Sequence, residues 1–157
     1  MNPNEQLVNK FYEAFAQKDY HTMAECYHPA ATFRDEAFNL VGKKQIGLMW
    51  RMLIERGTDL RIAFSKVQAN DSTGRASWEA WYTFSSTGNN VHNVIEAHFI
   101  FEEGKILKHQ DSFDFHRWAS QSLGITGKLL GWTDFLHKKV RNTAMVGLEN
   151  YMARKEL

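Results

Sequence analysis

Three segments with helical apolar spacing, followed by four with alternating spacing, predict an α+β domain: N-terminal helices packed on a curved antiparallel sheet, then a C-terminal helical extension. The apolar period changes once, from 3.6 to 2, after Gly57, so helices and strands are segregated. The chain has 157 residues, of which 43% are apolar and 13% aromatic. That length suits one core, and so large a share of rings needs wide apolar surfaces to cover it.

The first helix is marked at both levels. Asn2 can cap it, Pro3 fits its first position and Glu5 completes a capping box. Leu7, Val8, Phe11, Tyr12 and Phe15 then recur on one face, to an end near Lys18. Asp19 caps a short second helix carrying Tyr20, Met23, Ala24 and Tyr27, which Pro29 stops. Residues 31–35 read as a short strand. Gly42 opens a third helix with Ile46, Met49, Trp50 and Leu53 inward and Gly57 as its stop. Leu60, Ile62, Phe64 and Val67 alternate with polar residues, as a half-buried strand does. The turns at 70–74, 85–90 and 102–104 then separate strands at 76–84, 91–101 and 105–115.

Beyond Trp118 helical signals return. Trp132, Leu136, Val140, Ala144, Leu148 and Met152 fall every fourth residue, with Phe135 and Tyr151 beside them. This predicts a long helix whose stripe is covered by the domain or by a partner. The chain reads as one domain over 1–157, with a body at 1–117 and an extension at 118–157.

Net charge is +1, with both signs interspersed. That argues against nucleic-acid binding and against electrostatic membrane binding. Cys26 is the one cysteine, so no intrachain disulfide forms. A single thiol, no signal-peptide pattern at the start and no run of about 18 apolar residues lead to the expectation of a soluble cytoplasmic protein. The histidines show no metal-binding spacing and no phosphate loop is present, so neither metal nor cofactor is expected.

The order of elements, with Phe11-Tyr12, residues 31–35 (Ala-Thr-Phe-Arg-Asp), 42–46 (Gly-Lys-Lys-Gln-Ile), 97–101 (Ala-His-Phe-Ile-Phe) and Gly104-Lys105-Ile106, resembles the nuclear transport factor 2-like superfamily in its SnoaL-like and ketosteroid isomerase-like branches. Residues 111–115, Trp118 and 121–124 are similar to a SnoaL-like tail. The resemblance covers roughly 5 to 117. It implies a cone-shaped α+β barrel enclosing an apolar pocket, a hydrophobic carbonyl-bearing small molecule as ligand, and a homodimer through the sheet. It also implies cofactor-independent proton transfer of isomerase, cyclase or dehydratase type.

By this resemblance Asp35 falls at the isomerase's general base and Tyr12 at its oxyanion-hole tyrosine, while Asp111 falls at the acid/base aspartate of the cyclases. His109 shares a strand face with Asp111, Phe113 and Phe115. Phe33, Trp50, Trp78, Phe99 and Phe113 are the expected substrate-binding rings. The pattern departs from the isomerase at Ala97, where the second oxyanion-hole member is an aspartate. Each residue has a packing alternative: Asp35 can cap a turn, Tyr12 can be a core aromatic, His109 can bond within the packed interior, and Asp111 can satisfy a buried tyrosine or tryptophan. Trp78 and Trp81 have opposite parity, so one points into the cone and the other to the back of the sheet.

Three functions fit: an acid/base enzyme, a non-catalytic site for an apolar ligand, and an assembly subunit. Both carboxylates in one pocket with Tyr12 favour the first. Carboxylates locked in pairs favour the second. An interior filled by side chains counts against both ligand readings.

Overall fold

The computed structural model describes residues 1–155. Helix α1 (Pro3–Ala16) starts as expected, with the Asn2 side chain accepting from the Asn4 backbone N–H. Helix α2 (Tyr20–Glu25) is capped by Asp19 and ends earlier than predicted. Strand β1 (Tyr27–Arg34) therefore begins at Tyr27 and runs through Pro29. Strand β2 (Asn39–Val41) is a short addition that hairpins onto β1. Gly42, at φ 99°, turns the chain into helix α3 (Lys43–Arg56), and this left-handed conformation suits glycine.

Strands β3 (Arg61–Ala69), β4 (Thr73–Phe84), β5 (Asn89–Glu102) and β6 (Lys105–Ser112) form the antiparallel meander. The six strands lie in the order β2-β1-β6-β5-β4-β3. Two features differ from expectation. Strand β1 pairs with β6 in parallel, because nearly the whole fold lies between them in the chain. The sheet also stays open, with β2 and β3 as its edges, so the cone is a curved half-shell and not a closed barrel. Register shifts in β3, in β1 and between β5 and β6 help bend it.

Helices α1 and α3 cover the concave face. There Phe11, Tyr12, Phe15, Trp50, Trp78, Phe33 and Phe99 make one aromatic core. The two tryptophans face opposite ways as their parity predicted: Trp78 points inward, and Trp81 lies on the back of the sheet, with the Arg61 guanidinium 4.5 Å from its ring and His92 stacked at 4.8 Å.

The extension is three helices, α4 (Phe115–Leu123), α5 (Ile125–Leu130) and α6 (Asp134–Lys155). Helix α4 crosses the far end of β4 and β5: Trp118 Nε1 donates to the Tyr82 hydroxyl at 2.8 Å, and Gln121 accepts from the His92 backbone. Gly127 lets α5 press against α4, since a Cβ there would lie 1.8 Å from the Ala119 carbonyl oxygen. Leu148 and Tyr151 of α6 are buried in the main core, and the Tyr151 hydroxyl donates to Glu55 of α3. Among the described residues no helix is long and apolar enough to cross a membrane.

Candidate functional site

The sheet register brings the site together. One cross-strand row reads Gly74, Phe99, His109, Phe33, Leu40, and the next reads Ala76, Ala97, Asp111. Residues two apart on a strand share a face, so His109 and Asp111 point together into the interior. The two alanines leave space beside Asp111, and the Trp78 indole reaches over them, its Nε1 donating to Asp111 Oδ1 at 3.4 Å. Ala97, which breaks the isomerase pattern, is thus part of what admits Asp111.

His109 is 1% exposed and Asp111 is 3% exposed. They are joined by a 2.9 Å bond from His109 Nε2 to Asp111 Oδ1. The other ring nitrogen, Nδ1, lies 2.7 Å from the Tyr27 hydroxyl, which itself accepts from Trp50 Nε1 at 3.0 Å. A phenol has one proton. With its oxygen lone pair facing the tryptophan donor, the Tyr27 proton goes to Nδ1, and His109 carries its own proton on Nε2, directed at Asp111. Every atom of the chain from Trp50 Nε1 through the Tyr27 hydroxyl and both His109 nitrogens to Asp111 Oδ1 is then satisfied by one neutral tautomer. Phe33 and Phe99 lie edge-on and tilted against the imidazole at 4.9 and 4.5 Å, and Trp50 stacks on it at 6.2 Å.

Two buried polar atoms stand outside this chain. The Tyr12 hydroxyl and Asp111 Oδ2 have no hydrogen-bond partner among the described residues. Both belong to side chains in contact with Trp78. Burial, and next the Asp111 charge, push the Tyr12 hydroxyl well above its ordinary range, so it stays protonated and available as a donor.

Asp35 sits at the cone's rim. Its Oδ1 accepts from the backbone N–H groups of Ala37 at 2.7 Å and Phe38 at 2.6 Å, which is the turn-capping alternative. Desolvation outweighs these bonds and lifts its pKa to about 7, with smaller contributions from the Asp111 and Glu36 charges. It lines a recess of about 120 Å³ with Arg34, Ala37, Phe38, Asn39, Arg141 and Met145. Helix α6 holds this rim: His137 bridges to the Glu36 carboxylate at 3.0 Å and Arg141 donates to the Glu36 carbonyl.

Tyr12, His109 and Asp111 therefore meet in one place, ringed by Phe33, Trp50, Trp78 and Phe99. Asp35 lies apart at the rim. Phe113 lies beyond the end of β6, bridging the main core and the cluster beneath α4 and α6. The rings pack the interior around the network, and Trp132 and Phe135 face solvent without plugging the mouth. Helical spacing puts Tyr27 on α2 and so hides it as the partner of His109; its even spacing from Ala31 and Phe33 is the signal for a strand position.

One group of metal-capable side chains, His28, Glu102 and Glu103, gathers on the surface. His28 Nδ1 accepts from the Ala30 N–H, which leaves the proton on Nε2, the atom 3.8 Å from each carboxylate. That atom is then a donor and not a metal ligand.

Residues 8–109 match the family profile of the SnoaL-like domain. No curated protein matches the sequence. A protein of ketosteroid isomerase-like fold from Catenulispora acidiphila, solved with trimethylamine, superposes with a TM-score of 0.68 at 13% identity, covering 85% of this chain and 99% of that one. An epoxide hydrolase of LEH-like type from M. tuberculosis gives 0.65 at 14%, covering 82% and 96%. A candidate polyketide cyclase from Xanthomonas campestris pv. campestris gives 0.64 at 17%, covering 76% and 96%. At these identities the likeness is one of fold.

Proposed function

Because the chain belongs to the SnoaL-like domain family, we propose that it takes a small apolar carbonyl compound into its cone and moves a proton on it, with Asp111 as base and Tyr12 as donor to the carbonyl oxygen. The observation that carries this reading is the pair of buried, unpartnered atoms, the Tyr12 hydroxyl and Asp111 Oδ2. A buried polar group without a partner costs about 1–3 kcal/mol, and an open donor and an open acceptor, both on side chains that lie against Trp78, suit a ligand that offers an acceptor and an acidic hydrogen. His109 and Trp78 hold Oδ1, leaving Oδ2 as the basic atom. Tyr12 stabilises negative charge on the oxygen as the α-hydrogen leaves, and the apolar surroundings strengthen that bond. His109 is a positioning residue, fixed in one tautomer by Tyr27.

The packed rings mean that a ligand enters by displacing side chains. Of the rings in contact with Tyr12, the half-buried Phe64 and Trp78 are the least covered. Asp35, near neutrality at the rim, is placed to exchange protons with water. That packing counts against both ligand readings alike, so the second one, an apolar-ligand site without turnover, needs the same opening of the rings. The two separate in one experiment: hydrophobic ketones are incubated with the protein in D₂O and α-deuteration is followed by NMR, with ligand-induced thermal shifts measured in parallel. Catalysis predicts deuteration that Asp111→Asn abolishes and Tyr12→Phe lowers about 10²-fold. Thermal shifts without deuteration leave the binding reading alone. Neither deuteration nor shifts across the set would rule out both.

A further inference from the structure

The corner between α5 and α6 exposes large apolar side chains that neither the core nor the proposed ligand site uses. Ile125, Leu129, Trp132 and Phe135 are each between 65% and 75% exposed. Ile125 and Leu129 are one turn apart on α5. Trp132 Nε1 donates to the Leu129 carbonyl, which pins the indole at the end of that helix, and Phe135 lies in the first turn of α6. Lys128, Lys138 and Lys139, all exposed, flank them; Asp134 is the one acid among them. The whole-chain charge conceals this asymmetry. Residues 115–141 hold five cations and one anion, a net of +4, leaving −3 for the rest of a chain whose total is +1.

We propose that this corner docks on an anionic lipid surface, with Trp132, Phe135, Leu129 and Ile125 entering the interface and the three lysines on the headgroups. Three observations select lipid over a protein. The recess at Asp35 and the one lined by Lys66, Arg75 and Glu96 take in none of these residues, so neither supplies a peptide groove at this corner. Four large side chains are far fewer than the roughly 20–30 residues a side of a stable protein interface, but they suffice for a shallow interfacial anchor. A second copy brought face to face would set the same lysines against each other. Net charge alone conceals such a surface, because opposite charges elsewhere in the chain mask a local basic patch.

The test is co-sedimentation with vesicles of phosphatidylcholine containing phosphatidylglycerol, compared with phosphatidylcholine alone. The protein sediments with the mixed vesicles and more weakly with the neutral ones. Trp132→Ser with Phe135→Ser weakens binding at least about tenfold, and Lys138→Gln with Lys139→Gln weakens it roughly 10- to 30-fold. These positions are exposed, and circular dichroism checks that the fold is kept. No vesicle binding, binding that survives the Trp132/Phe135 change, or a Trp132-dependent dimer seen by sedimentation velocity without vesicle binding overturns the proposal. Ketone binding and deuteration are read in solution without lipid, so the two proposals fail separately.

Discussion

Removing one oxygen atom, in Tyr27→Phe, strips two partners at once. The Tyr27 hydroxyl accepts from Trp50 Nε1 and donates to His109 Nδ1, and all three side chains are at most 2% exposed. The ring remains, so packing is nearly unchanged and the cost is that of an unpaired indole N–H and an unpaired imidazole nitrogen. At about 1–3 kcal/mol for each such group, partly relieved by relaxation, the variant is less stable by roughly 2–4 kcal/mol. For a chain of this size that lowers Tm by about 4–16 °C. Urea unfolding followed by far-UV circular dichroism measures it, with the slope m expected to stay constant. The double variant Tyr27→Phe with Trp50→Phe should cost clearly less than the sum of the singles, because each destroys the same bond. Strict additivity, or a loss below about 0.5 kcal/mol, would refute the bonded chain and with it the tautomer assigned to His109.

Asp35 carries a raised folded-state pKa of about 7 against an ordinary 3.8. The folded state thus holds the proton more tightly, so stability falls as pH rises from about 4 to 7 and is flat above; Asp35→Asn should remove up to about 2–4 kcal/mol of that slope, read from denaturation midpoints across pH. Gly127→Ala forces a Cβ into the Ala119 carbonyl and should free α5 from α4, exposing residues 124–133 to limited proteolysis; unchanged resistance would count against the close approach. Tyr151→Phe removes the bond to Glu55 that ties α6 to α3, and should cost about 1–2 kcal/mol in chemical denaturation.

The three N-terminal helices, the four long strands and the shared face of His109 and Asp111 were legible in the sequence, because apolar period and strand parity are local properties. What escaped it depends on distant chain. Pro29 read as a helix stop, yet it falls in the irregular stretch of β1 between Tyr27 and Thr32, where the missing N–H breaks no regular ladder. That placed Tyr27 on a helix and hid its bond to His109. The parallel pairing of β1 with β6 has no local signature at all. Strand β2 has three residues, too few to show a period. Trp132 looked like the head of a buried stripe, but α6 begins at Asp134, and steps of four drift by about 40° each around a helix, so only part of the stripe faces the core. Asp35 shows the opposite limit: its motif position was readable, but whether its carboxylate served a turn or a pocket required the coordinates of Ala37 and Phe38.

The central claim is that the Tyr12 hydroxyl and Asp111 Oδ2 are the polar grip of a ligand site inside the cone. A crystal structure of the protein with a hydrophobic ketone that raises its thermal stability tests this directly. The account predicts the ketone among Phe33, Trp50, Trp78 and Phe99, with its oxygen about 2.6–3.2 Å from the Tyr12 hydroxyl and Asp111 Oδ2 beside its α-carbon. An interior still closed by the same rings, with the ketone bound elsewhere, would contradict it.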